Sequence, residues 1–310
     1  MLTTFLSQIV NGLILGSLIG LIALGYTMVY GIIQLINFAH GEIFMVGAYG
    51  GLAVFTYLLP TFVQQQWYLA LPLLLVVGAA VSTAVGVLLE RFAYRPLRGA
   101  PKLAPLITAL GVSVALQELI RNFYPGATAA LPFPRVFVQG TVEVPVPGGT
   151  VPLRWTGLLI IVVSLVLAYA LSSFVSNSRM GRAMRAVSQD PDTARLMGVD
   201  TDRIIVLTFV LGAVLAGVAG ILYGTDLGFI NSDIGLQNGL FAFTAAVLGG
   251  IGNLKGAVVG GIVIGLVKTL GGQYLPGGTA YDYVWIFVVL IAVLVFRPQG
   301  FFGESERVRA

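Results

Sequence analysis

The sequence has no cysteine and a single histidine in 310 residues. The first absence rules out thiol chemistry, disulfides and Cys-ligated metal. The second rules out a multi-histidine metal site. Charge is scarce too: Asp, Glu, Lys and Arg make up 10% of the chain, against about 25% in a typical soluble domain. From Met1 to Leu89 the one charged side chain is Glu42. No G-x-x-x-x-G-K-[ST] run occurs. The nearest stretch, Gly252-Asn253-Leu254-Lys255-Gly256, lacks its spacing and its hydroxyl residue, so nucleotide hydrolysis is not expected in this chain. No Ser/His/Asp set can be placed, and no enzymatic activity, cofactor or metal is expected of the chain itself. The net charge of +4 gives no reason to expect nucleic acid. Met1-Leu2-Thr3-Thr4-Phe5 lacks the basic start of a signal peptide, so the first apolar run reads as a retained span.

What is present is hydrophobic length. The chain is 57% hydrophobic, and runs of roughly 20 residues, enough to cross a bilayer core, recur along it. The runs are long and rich in Gly, Ala, Leu and Val, unlike the short alternating strands of a barrel. The expected fold is an all-α polytopic transmembrane bundle of about eight or nine spans, a single domain over 1–310. The spans fall near 8–30, 43–59, 69–89, 103–120, 157–175, 204–223, 239–250, 257–270 and 283–296. The segment 239–250 either crosses or re-enters. Gly12, Gly16 and Gly20, and later Gly212, Ala216, Gly220 and Gly224, form small-residue stripes that let helices approach closely.

Basic loops stay cytoplasmic. Arg91, Arg95, Arg98 and Lys102 mark one such loop. Arg179, Arg182, Arg185, Arg195 and Arg203 mark another, and Arg307 and Arg309 mark the tail. Nine crossings, with the N-terminus outside and the C-terminus inside, satisfy all three. Residues 124–155 are then external. They hold six of the 14 prolines and read as a hairpin, Val142–Val146 and Val151–Trp155, around Pro147-Gly148-Gly149-Thr150. Arg121, Arg135 and Arg154 nearby weaken that orientation without reversing it. The region is either a docking surface or a connector.

The cytoplasmic loop 177–203 carries its own punctuation. Asp190 is a good N-cap, Pro191 suits the first helical position, and Asp192 complements the helix dipole. Gly198 is placed as a left-handed C-cap, and Asp200-Thr201 can cap the next span. The stretch reads as a short ordered helix at the membrane surface, available for docking.

Two polar breaks interrupt the apolar pattern. Ile36-Asn37-Phe38-Ala39-His40-Gly41 and Ile230-Asn231-Ser232-Asp233-Ile234-Gly235 share the pattern I-N-x-x-x-G. Each follows a glycine-striped span and precedes a shorter apolar segment ending in Gly-Gly. The span before Asn37 runs inward and the span before Asn231 outward, which suggests two inverted repeats with broken helices. Unwound backbone at membrane depth is tolerated where it lines a cavity. The candidate translocation path is therefore Asn37, His40, Gly41, Glu42, Asn231 and Asp233. The alternative for His40 and Glu42 is helix capping at headgroup level. Glu42, Glu90, Glu118, Asp226 and Asp233 all fall near expected span ends, whereas an ion-coupled carrier usually places carboxylates in mid-span.

Three stretches resemble a known family. Gly12 to Gly51, GLILGSLIGLIALGYTMVYGIIQLINFAHGEIFMVGAYGG, is similar to the start of the branched-chain amino-acid permeases of bacterial ABC importers, the first of their two permease types. Phe243 to Gly261, FTAAVLGGIGNLKGAVVGG, is similar to their C-terminal signature. The stretch GRAMRAVSQDPDTARLMGVDTDRIIVLTF is similar to their cytoplasmic loop. Asp192-Thr193-Ala194 with Gly198 resembles the E-A-A-x-x-x-G docking motif, from which it departs at the first two positions. The resemblance implies a permease that forms a translocation path with a second, homologous or identical permease. It implies two cytoplasmic ATPase subunits carrying ATP and Mg, an external substrate-binding protein, and a lipid-embedded place in the bacterial cytoplasmic membrane. The ATPase-docking residues it implies are Arg182, Arg185, Asp190, Asp192, Ala194 and Gly198. The alternative to an importer subunit is a stand-alone carrier or channel for small polar solutes.

Overall fold

The computed structural model describes residues 2–35, 37–101, 103–147 and 149–303. Ile36, Lys102, Gly148, Arg307 and Arg309, which carry part of the break, loop and turn expectations, lie outside them.

Helix α1, Leu2–Ile33, is longer at both ends than its apolar pattern suggests. It stops at Gln34, a non-glycine residue with φ of 52°. Helix α2, His40–Tyr57, follows after the break. A single turn, α3 (Thr61–Gln64), occupies the charge-free connection to α4, Trp67–Leu89. The chain does not leave the helix at Leu89. It widens into a π-helical turn, Glu90–Tyr94, and tightens into a 3₁₀ turn, Arg95–Leu97. Helix α5 is Leu103–Phe123. Strand β1, Leu131–Pro132, precedes a hairpin of β2, Thr141–Val146, and β3, Gly149–Arg154. Val146 pairs with Gly149, so the turn is two residues long and Gly149 and Thr150 belong to the strand. Helix α6, Trp155–Asn177, leads to α7, Arg179–Gln189, and α8, Pro191–Leu196. Helix α9, Thr201–Leu227, runs past the expected span end at residue 223 and is closed by Gly228. Strand β4, Phe229–Ile230, precedes α10, Ile234–Gly249. Helix α11, Leu254–Tyr274, and α12, Asp282–Phe296, complete the bundle.

Among the described residues seven helices are long and apolar enough to cross a membrane, with α10 as a shorter apolar helix. Sixteen residues at about 1.5 Å each make α10 roughly 24 Å long, short of a core about 30 Å thick. Helices α1 and α9 are the buried pair. Helices α5, α6 and α12 keep most of their apolar surface on the outside of the chain.

Glycine contacts fix the directions. Gly12, Gly16 and Gly20 meet Leu266, Ile262 and Val258 in falling order, so α11 runs antiparallel to α1. Gly78 and Gly86 on α4 meet Gly217 and Ala213 on α9, again antiparallel. The neighbours then interchange. Helix α11 packs on α1 as α4 packs on α9, and α10 packs on α1 as α2 packs on α9. Helix α12 touches α10 as α5 touches α2. The units α1–α2–α4–α5 and α9–α10–α11–α12 therefore repeat one arrangement in opposite directions.

Candidate functional site

The two breaks build the centre of the bundle. After α1 ends, the chain doubles back by about two turns, so that His40 lies against Gly25 of α1 and Gly212 of α9. The Asn37 carbonyl accepts from the His40 N–H at 3.0 Å. In the second break the Asn231 carbonyl accepts from the Ile234 N–H at 3.4 Å. Helices α2 and α10 thus each start three residues after an asparagine, on the same backbone turn. The side chains act differently. Asn231 Oδ1 accepts from the Asp233 N–H at 3.1 Å and holds its own loop. Asn37 is buried, and its Oδ1 accepts from the Tyr94 hydroxyl at 3.0 Å, on the π-helical turn after α4.

The starts of α2 and α10 meet each other. A side chain at Gly41 would overlap the Gly235 carbonyl and crowd the Cα of Gly239. Neither helix has a side-chain cap at its N-terminus. His40 packs edge-on against the Tyr26 ring at 4.9 Å. Glu42 is fully buried. One carboxylate oxygen accepts from the Ser113 hydroxyl at 3.1 Å, and the other has no partner and lies against Gly235.

Ser113 is half-way along α5, so Glu42 is deep in the bundle and not near a span end. This corrects the sequence expectation, and headgroup capping by Glu42 and His40 goes with it. The cause is the doubling back of residues 34–39, which carries the start of α2 inward. Absence of a mid-span carboxylate is then no argument against a carrier. Asp233 does lie toward an end. It accepts from Gln117 at 2.7 Å and pairs with Arg121 at 2.8 Å, and Arg121 also pairs with Glu118. Ser113, Gln117 and Arg121 were missed in the sequence. Their four-residue spacing puts them on one face of an otherwise apolar helix, which was the available signal.

The segment between α5 and α6 reaches the second break. Leu131 pairs with Ile230 and Pro132 with Phe229, and the Phe133 N–H donates to the Gly228 carbonyl at 2.9 Å. Asp226 takes Arg154 at 3.2 Å and the Thr156 hydroxyl at 3.1 Å, which ties the base of the hairpin to α9.

The loop 177–203 holds two helices, α7 and α8, where the sequence pattern marks only α8. Ser178 caps α7 by accepting from the Gly181 N–H, a signal overlooked in the basic run. Arg182 and Arg185 turn back to the carbonyls of residues 175–177, the orphan acceptors at the end of α6. Asp190 caps α8 through the N–H groups of Asp192 and Thr193. The Thr193 hydroxyl and N–H, with the Asp192 N–H, hold the Asp190 carboxyl below the usual carboxylate range. A depressed value means the cap is intact at neutral pH and is lost only as pH falls below the ordinary aspartate range. Gly198 has φ of 84°, Ala194 is buried, and Asp192 is exposed beside Arg195. Leu196 and Met197, 87% and 80% exposed, project from the end of α8.

Among the described residues no group of three or more acidic or histidine side chains is placed to hold a metal ion. What the geometry defines is a multi-pass membrane protein built on an inverted pair of shorter helices, α2 and α10, whose starts converge inside the bundle. The chain belongs to the family described as branched-chain amino acid transport system / permease component, whose model matches residues 8–294. It is 43% identical to the high-affinity branched-chain amino acid transport system permease protein BraD of Pseudomonas aeruginosa, over 97% of both chains. It is 43% identical to LivH of Escherichia coli, over 97% of this chain and 96% of that one. A probable branched-chain amino acid transport permease protein LivH of Methanocaldococcus jannaschii is 30% identical, over 94% and 91%. No solved structure matches the chain.

Proposed function

We propose that the chain is a permease subunit of a bacterial ABC importer for branched-chain amino acids. It lies in the cytoplasmic membrane, and Asn37, His40, Gly41, Glu42, Asn231 and Asp233 border the translocation path. The observation that carries the reading is the meeting of α2 and α10, two uncapped helix starts, at a buried polar cluster. Half-helix ends at membrane depth are how transporters present backbone groups to substrate. The partners are a second permease, two ATPase subunits that hydrolyse Mg-bound ATP, and an external binding protein. Residues 177–203 dock the ATPase, with Asp190, Asp192, Ala194 and Gly198 shaping α8. Arg182 and Arg185 anchor the loop to α6. Residues 124–155 receive the binding protein.

The test is uptake of labelled leucine into vesicles holding the assembled complex, with binding protein outside and ATP inside. ATP-dependent uptake that valine and isoleucine compete for is expected. Uptake without ATP that an ionophore abolishes would assign a carrier instead. Deleting 141–151 should remove stimulation of ATP hydrolysis by the binding protein and lower uptake at least tenfold. Undiminished stimulation would reduce the hairpin to a connector. Sidedness is checked with single cysteines, since the chain has none. Asn37→Cys should react with an impermeant thiol reagent from the cytoplasmic face and Asn231→Cys from the outside. Labelling of both from one face would reverse half of the topology.

A further inference from the structure

Asn253, in the stretch whose likeness to a nucleotide-binding loop fails on spacing, acts in two directions. Its Oδ1 accepts from the Gly256 N–H at 3.0 Å and caps α11. Its Nδ2 donates to the Phe302 carbonyl at 3.0 Å, in the segment after α12. That segment binds α10 in turn. The Phe301 N–H donates to the Leu248 carbonyl at 2.9 Å, and the Phe302 N–H to the Gly249 carbonyl at 3.0 Å. The last carbonyls of a helix have no partner within it, and here two of them are satisfied from beyond α12. The contact is backbone on backbone. A side chain at Gly300 would overlap the Gly250 nitrogen and the Val247 carbonyl, and one at Gly250 would crowd the Gly303 backbone. Gly300 is buried.

The helix held in this way begins in the candidate site. Helix α10 contains no proline, and its roughly 24 Å behaves as a rod. Its start meets Gly41 through backbone atoms, without side chains that could take up slack. A shift of its last turn is therefore a shift of its first.

We infer that Gly300, Phe301 and Phe302, gripped by Asn253, are positioning residues for transport: they tie the end of α12 to the α10–α11 turn and so set where the start of α10 lies against α2. With the grip lost, the complex still hydrolyses ATP, but the α2–α10 contact no longer follows the cycle. This rests on the importer reading above and adds what holds one of its two central helices in place.

Two full-length variants break the grip from opposite sides. Asn253→Asp keeps an equally good cap for α11 and removes the donor to Phe302. Gly300→Val leaves Asn253 alone and adds a β-branched side chain at φ of 72° against Gly250. The first readout is at the far end of α10. Asn238→Cys, at a buried position, should react with a small thiol reagent at least fivefold faster in either variant than in the otherwise unaltered chain. The second readout uses the chain without cysteine. In vesicles, leucine imported per ATP hydrolysed should fall at least fivefold, with KM for leucine within twofold and the ATPase subunits retained. The double variant should be no worse than the more severe single one, because both remove one contact. A labelling rate or a coupling ratio within twofold of the parent in Asn253→Asp overturns the inference. So does a double variant whose losses multiply. If Gly300→Val does not assemble, Asn253→Asp decides alone on both readouts. Wild-type complex that hydrolyses ATP without importing leucine defeats the importer reading, and the labelling comparison still decides whether the grip positions α10.

Discussion

Gly41→Ala is expected to cut uptake at least a hundredfold while the protein still inserts in the membrane. The added methyl has no flexible neighbour to displace. It meets the backbone carbonyl of Gly235 and the Cα of Gly239. Overpacking in a rigid setting costs about 1–3 kcal/mol, and contact with backbone belongs at the upper end. A penalty of about 3 kcal/mol on the closed contact is roughly a hundredfold in its population. Gly111→Ala on α5 is the control, because nothing lies within 4 Å of its new methyl. Uptake by Gly41→Ala within threefold of that control would mean that the glycine contact is not visited during transport.

The second large effect is expected at the exposed end of α8. Leu196→Asp combined with Met197→Asp should release the ATPase subunits, read as loss of their co-purification with the permease. Full burial of a Leu or Met side chain is worth about 1.5–3 kcal/mol, so two docking anchors amount to about 3–6 kcal/mol, at least a hundredfold in affinity. Gly198→Val is the smaller perturbation. Its φ of 84° disfavours a β-branched residue, yet the added Cβ meets nothing. The cost is then backbone strain alone, about 1–2 kcal/mol, or roughly tenfold. Full retention of the ATPase by the double variant would move the docking surface to α7.

What could be read in the sequence was local. Asp190, Pro191 and Gly198 punctuate α8 and Asp200 caps α9, each within a few residues of its own position, and all four act in the structure as their chemistry suggests. The repeated I-N-x-x-x-G was legible because α2 and α10 start on the same asparagine turn. Depth was not legible. A hydropathy run gives the length of a span and says nothing of where it begins across the bilayer, so Glu42 looked terminal. Its burial follows from a chain reversal after Gln34 and from a partner on α5, 71 residues away. The π-helical turn at Glu90–Tyr94 left no mark on composition, although it brings Tyr94 to Asn37. The polar face of α5 was visible in spacing, but its partners lie on α2 and in the second break.

The pairing of β1 with β4 has a mechanical meaning. Each strand is two residues long, too short to add much stability, yet the bonds run backbone to backbone into the hinge before α10. Arg135 reinforces the same point by donating to the Leu227 carbonyl at 3.4 Å. A load on the proline-rich segment therefore reaches the hinge without passing through a side chain that could rotate and absorb it. The stitch works as a rein: a displacement of the segment between α5 and α6 is passed straight to the residues before α10.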